Sequence, residues 1–176
     1  EAILQRLSAN DVAVAPGRIV YTQWLNRHGG IEADLTITRL SETAYLVVTS
    51  AATTSRDFAW LRRNIPDDAR CVAVDVSSAE ACLAVMGPEA REVLQPLTPA
   101  DLSNDAFPYA TAQEIEIGMA PVRAHRISYA GELGWELFVA TEYARHVLDA
   151  VGDADGLKLC GLIALESLRL EKGYRH

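Results

Sequence analysis

Cysteine and cations are both scarce in this sequence, and each shortage excludes a class of protein. Its three cysteines, Cys71, Cys82 and Cys160, are an odd number, widely spaced and without a C-x-x-C pair, so a disulfide framework does not fit. Cys71 and Cys82 sit among apolar residues, which predicts buried free thiols in a reducing compartment. Lysine plus arginine number 16 against 24 aspartate plus glutamate, and the net charge of −8 disfavours a broad electrostatic hold on nucleic acid or anionic lipid. No apolar run approaches the roughly 18 residues of a membrane helix, and the start lacks a basic-then-apolar secretory signal. The expected location is therefore cytoplasmic, or the mitochondrial matrix if a targeting peptide has been removed. There is no Gly-rich phosphate loop, no histidine pair at metal-ligand spacing and no G-x-S-x-G elbow. His28, His125 and His146 carry no motif and read as surface or packing residues. No metal site is expected.

What is present is ordinary globular material. With 176 residues, 49% hydrophobic and 23% charged, the chain has room for one domain and no second independent core. It opens on Glu1 and closes on Gly173-Tyr174-Arg175-His176 with no polar tail, which predicts a piece of something longer, truncated at both ends. Apolar surface exposed at such ends would favour self-association.

Residues Gly17 to Asn26 read as a strand followed by turn chemistry at Arg27-His28-Gly29-Gly30. From Ile31 to Leu40 the chain alternates, with Ile31, Ala33, Leu35 and Ile37 on one face and Glu32, Asp34, Thr36 and Thr38 on the other. A third strand at Ala44 to Thr49 completes a meander. Thr53 or Thr54 can cap a helix running to about Asn64. Strands are expected at Val72 to Val76, Ala81 to Met86 and Trp135 to Val139, with a hairpin made by Glu114 to Met119 and Val122 to Tyr129. Helices are expected from Pro88 to Leu97, Glu142 to Val151 and Leu162 to Lys172. Strand groups interrupted by helices, without regular βαβ alternation, predict an α+β fold with a mostly antiparallel sheet and packed helices.

Two carboxylates stand out. Asp34 lies on the polar face of its strand, where it is either a solvated sheet residue or, beneath a concave ligand surface, a fixed carboxylate able to orient an amine and accept its proton. Glu136 is flanked by Trp135 and Leu137. It either points from an edge strand into water or is buried, and then needs donors such as two adjacent N–H groups of a ligand ring.

Three segments in register then suggest a family. They are YTQWLN at Tyr21–Asn26 with GGIEADLTI at Gly29–Ile37, ISYAGELGWE at Ile127–Glu136, and GLIALESLRLEKG at Gly161–Gly173. Their order and separation across nearly the whole chain resemble the folate-binding domain of the glycine-cleavage T-protein (aminomethyltransferase) family. The closing LRLEKGYR is most similar to the flavin-linked members, the dimethylglycine and sarcosine dehydrogenases.

The resemblance implies that Asp34 sits near N10 of tetrahydrofolate, that Glu136 grips the polar edge of the pterin, and that Tyr21 and Tyr129 line the pocket. Ser50 stands where that family usually has Asn, and Leu165 where the transferases have an Arg that helps hold folate. Arg169, four residues on, reads as an ion-pair partner of Glu166. The implied function is the tetrahydrofolate-binding part of an FAD-dependent oxidoreductase. Such an enzyme oxidatively demethylates an N-methylglycine, dimethylglycine or sarcosine, and passes the one-carbon unit to tetrahydrofolate. FAD would lie on a domain outside this chain, and the N-terminal FAD domain and a C-terminal β domain would be its partners in cis. The 176 residues form, on this reading, one folate-binding domain that is inactive alone. The alternatives are a stand-alone folate-dependent aminomethyl- or methyltransferase and a non-catalytic folate-like interaction domain.

Overall fold

The computed structural model describes residues 1–175, and the chain divides into two compact units, Glu1–Val76 and Ser77–His176. In the first unit, α1 (Ala2–Leu7) precedes a meander of β1 (Ile19–Leu25), β2 (Ile31–Arg39) and β3 (Tyr45–Thr49), followed by α2 (Thr54–Arg63). The strands are antiparallel in the order β1-β2-β3, so β2 is flanked on both sides. Alternation sends Val20, Trp24, Ala33, Leu35 and Ile37 into a core shared with Leu4, Leu7 and Val12. Ile31 departs from the expected face. It starts β2 where the register slips between Trp24 and Leu25, and it is 68% exposed. The turn between β1 and β2 is closed by the Asn26 side-chain oxygen, which accepts from the backbone of His28 (2.9 Å) and Gly30 (3.0 Å). Gly29 supplies the positive φ of +79° that this turn requires.

Thr53 occupies the position before α2, yet its hydroxyl does not cap the helix. It donates instead to the buried carboxylate of Asp57 at 2.7 Å, beside Arg56 Nε at 3.0 Å and a short bond from the Thr49 hydroxyl. Burial opposes ionisation of Asp57, but these three donors together hold its pKa below the ordinary value.

The second unit contains β4 (Glu80–Met86), α3 (Ala90–Leu94), β5 (Ala112–Ile117), β6 (Ala120–His125), β7 (Gly134–Ala140), α4 (Ala144–Gly152) and α5 (Leu162–Glu171). Its four strands are antiparallel in the order β4-β7-β6-β5, so β7 is also an interior strand. One face carries Val85, Trp135, Leu137, Val139, Val122 and Ile115 into the core, where they meet Leu94, Phe107, Val147 and Val151. The mixed helix and antiparallel-sheet architecture is the α+β class expected.

Three expectations fail for identifiable reasons. Val72–Val76 alternates like a strand but joins no ladder, and Val72 and Val74 are 83% and 67% exposed; β-formers need a half-buried, paired surface to act on. β6 ends at His125, and the chain to Tyr129 is loop. All three cysteines are exposed rather than buried. In β4 it is Ala81, Leu83 and Val85 that face the core, and period-two alternation sends Cys82 to the other side. Helix α5 forms as its periodicity predicts but buries none of its side chains, leaving Leu162 73% and Ile163 88% exposed.

Candidate functional site

The carboxylate of Asp34 is built into place by strand register. Opposition of β1 and β2 sets Gln23 directly across from Asp34 and Tyr21 across from Thr36, all on the face turned away from the core. Tyr21 donates its hydroxyl to Asp34 Oδ2 at 2.9 Å, and Gln23 Nε2 donates to Oδ1 at 3.1 Å. Both oxygens are therefore oriented by neutral donors while the group stays exposed. A carboxylate so held still has lone pairs for an incoming N–H. Tyr21 and Asp34, both picked from the sequence, do meet. Gln23 joins them without having been expected as a site residue; its position two residues after Tyr21 on the same strand face is the sequence signal for it.

Glu136 in β7 is positioned by its neighbour. Trp135 is fully buried, with Phe107 edge-on to it at 6.1 Å between ring centroids and the guanidinium groups of Arg91 and Arg126 at 5.8 and 5.7 Å from its ring. Arg126 is tied in turn to the Phe107 carbonyl, and both arginines share Asn104 Oδ1 at 2.6 and 2.7 Å. With Trp135 pinned inward, Glu136 must face the opposite side of the sheet, opposed to Ala84 on β4 and His125 on β6. There it is half-buried, no described residue offers its carboxyl a hydrogen bond, and burial pushes its pKa up to about 7.

His125, which the sequence suggested was a surface or packing residue, is fully buried on this same face with neither ring nitrogen hydrogen-bonded. Its ring lies 4.6 Å from that of Phe138. Burial, helped by the nearby Arg123 charge, lowers its pKa to about 4, so the imidazole is neutral at physiological pH.

Tyr129 is placed by the loop after β6. Its ring stacks on that of Tyr174 at 6.2 Å and its hydroxyl donates to the Arg175 carbonyl at 3.3 Å, so this aromatic face already carries a partner from the chain's own end. The turn that follows is held by an ion pair between Lys172 and Glu132 at 2.7 Å, with Gly131 at φ +74° beneath the lysine stem. Arg169 pairs with Glu166, its Nε lying 3.0 Å from Oε2, as expected. Ser50 is exposed and Leu165 half-buried. Tyr21 and Asp34 belong to the first unit, and Tyr129 and Glu136 to the second. A cavity of about 480 Å³ lies along β5, lined by Pro99, Ala100, Glu114, Ile115, Glu116 and Pro121, and contains none of these residues. Among the described residues, no group of three His, Cys, Asp or Glu is arranged to hold a metal ion, and no helix is long and apolar enough to cross a membrane.

Known proteins are similar to this chain in sequence and in fold. The chain is 41% identical over 177 residues to a 4-methylaminobutanoate oxidase (formaldehyde-forming) of Paenarthrobacter nicotinovorans, covering 99% of this chain and 21% of that protein. It is 37% identical over 187 residues to the mitochondrial sarcosine dehydrogenase of Mus musculus, covering 97% of this chain and 20% of the relative. Among solved structures, the glycine cleavage system aminomethyltransferase T of Bartonella henselae superposes with a TM-score of 0.86 at 28% identity, over 99% of this chain and 46% of that one. The chain thus spans between about a fifth and a half of the length of these relatives. The GCVT N-terminal domain family matches residues 1–176, and the chain belongs to that family.

Proposed function

We propose that this chain is the tetrahydrofolate-binding part of an FAD-dependent oxidoreductase that removes a methyl group from an N-methylglycine and hands the one-carbon unit to tetrahydrofolate. The observation that carries the reading is Glu136: a half-buried carboxyl, raised to about 7 and without a hydrogen-bond partner among the described residues, is a costly arrangement unless a ligand supplies donors. The donor-rich edge of a pterin fits that need, presenting adjacent N–H groups to both carboxylate oxygens. When bound, tetrahydrofolate supplies the amine nitrogens that accept the one-carbon unit.

The protein's own part is orientation and proton transfer. Asp34, fixed by Tyr21 and Gln23, would hold a folate amine by accepting its N–H and would serve as the base for that proton. Glu136, as a carboxylate, fixes the ring plane, so the reacting nitrogen is held in one orientation and the benefit of proximity is realised. FAD belongs to a part of the protein outside these residues. The half-buried Leu165 offers no cation to the folate, which supports this reading over an aminomethyltransferase that acts alone.

Titration of the full-length protein with tetrahydrofolate tests the proposal. Asp34→Ala and Glu136→Ala are expected to weaken binding by at least about tenfold, roughly one hydrogen bond to a charged group each. Wild-type affinity in both variants would overturn the folate reading. If the protein binds folate but the sequence preceding this chain encodes no dinucleotide fingerprint, the aminomethyltransferase reading replaces the oxidoreductase.

A further inference from the structure

His125 and Glu136 are directly opposed on β6 and β7, and neither side chain has a hydrogen-bond partner among the described residues. A neutral imidazole carries one N–H and one lone pair, and burying both unpaired costs on the order of 1–3 kcal/mol for each group. A packing role alone would be filled more stably by an apolar ring, and Phe138 already provides one beside it at 4.6 Å. Opposed residues of an antiparallel pair have Cβ atoms roughly 5 Å apart, so one rotamer change of the glutamate brings its carboxyl to the imidazole.

The other titratable or charged groups on this sheet face are Glu80 and Cys82 of β4, Glu114 and Glu116 of β5, and Arg123 of β6. Arg123 is committed to Glu80 at 3.1 Å and Glu114 at 2.8 Å. Cys82 stands opposite Phe138 rather than Glu136. Directly across β6 from Glu136, the one polar group in place is the imidazole.

We infer that His125 is a positioning residue for Glu136, its neutral imidazole donating an N–H to one carboxylate oxygen and so fixing the plane in which the remaining lone pairs of the two oxygens meet a ligand's N–H groups. The inference rests on the ligand assignment above, because a carboxylate that binds an N–H edge through both oxygens must be held against rotation from behind. His125 is fully buried and touches no ligand itself. It acts through the rotamer and charge state of Glu136.

Three forms of the full-length protein test this: wild type, His125→Phe and His125→Asn. The phenylalanine keeps the ring and removes both orphaned nitrogens, so it should fold with an equal or higher Tm. Its affinity for tetrahydrofolate is expected to fall about tenfold, and asparagine, which restores an N–H, should recover part of that loss. Wild-type affinity in His125→Phe would overturn the inference, as would equal losses in the phenylalanine and asparagine variants. A second readout does not need folate. The Glu136 carboxyl, followed by carbon-13 NMR, should titrate at higher pH in His125→Phe, because a donor to its charged form is gone, and an unchanged midpoint would refute the pairing. If wild type fails to bind tetrahydrofolate, the folate assignment falls and this titration alone decides the His125–Glu136 relationship.

Discussion

Tyr21 donates its phenolic hydroxyl to Asp34 across the β1–β2 ladder at 2.9 Å, with the tyrosine ring 59% exposed. Such a bond contributes little to folding, since both ends can reach water, but it fixes where the carboxylate points. Tyr21→Phe and Asp34→Asn should therefore alter stability by no more than about 0.5 kcal/mol in chemical denaturation. On the function proposed above, Asp34→Asn in the full-length protein should leave amine oxidation intact and slow methylenetetrahydrofolate formation by about 100-fold, the scale of a lost general base. The check is stopped-flow flavin reduction beside an assay for released formaldehyde. Slowed flavin reduction would show that Asp34 does something else.

The opposite behaviour is expected at Asp57. Its carboxylate is 2% exposed and takes bonds from Thr49, Thr53 and Arg56. Asp57→Ala removes the acceptor of the Thr49 hydroxyl at the end of β3 and of the Thr53 hydroxyl before α2, and should cost about 1–3 kcal/mol in urea denaturation. Because its folded pKa is below the ordinary value, the stabilisation is present at neutral pH and is lost as pH falls through that depressed pKa.

Opposed on two strands, Glu136 and His125 should tilt the stability profile in opposite directions. Glu136 titrates near 7 when folded against an ordinary 4.5, so its contribution is full below pH 4.5 and disappears as pH rises to 7. His125 titrates near 4 against an ordinary 6.5, so its contribution is full above pH 6.5 and disappears as pH falls to 4. Each limb is worth on the order of 1–3 kcal/mol. Denaturation at pH 4, 5.5, 7 and 8 should show Glu136→Gln flattening the alkaline limb and His125→Phe the acid limb.

Cys82 is exposed by area, yet desolvation first and the Glu136 charge second push its thiol up to about 12. In a Cys71→Ser/Cys160→Ser background, alkylation at pH 8 should run at least about tenfold slower than for an unstructured cysteine peptide. A rate equal to the peptide's would mean that the sheet face does not shield the sulfur.

The meander, the β5–β6 hairpin, β7 and the three longer helices were all legible in the sequence because each rests on local periodicity and turn chemistry. Asp34 was legible for the same reason, as a polar residue on an alternating strand. His125 was not, because its significance comes from pairing with Glu136, which lies on another strand and is invisible until register is known. Cys82 misled because apolar neighbours in sequence lie on the opposite side of a strand. Val72–Val76 misled because β propensity says nothing about whether a partner is present. The short α1 offered only the Leu4 and Leu7 spacing, too little to separate it from irregular chain.

Asp34 and Glu136 share one placement that neither needed for folding: each sits on a strand with neighbours hydrogen-bonded along both sides. Glu136 is paired to Ala84 on one side and His125 on the other, and Asp34 is paired to Gln23 one residue before β2 joins β3 at Leu35, so the conformational entropy of placing each carboxylate is lost when the chain folds and not when a ligand arrives. Amide hydrogens of β2 and β7 should accordingly be among the slowest of their units to exchange. A ligand meeting either carboxylate would find a backbone already ordered, and its binding enthalpy would be correspondingly less offset by the protein's own ordering.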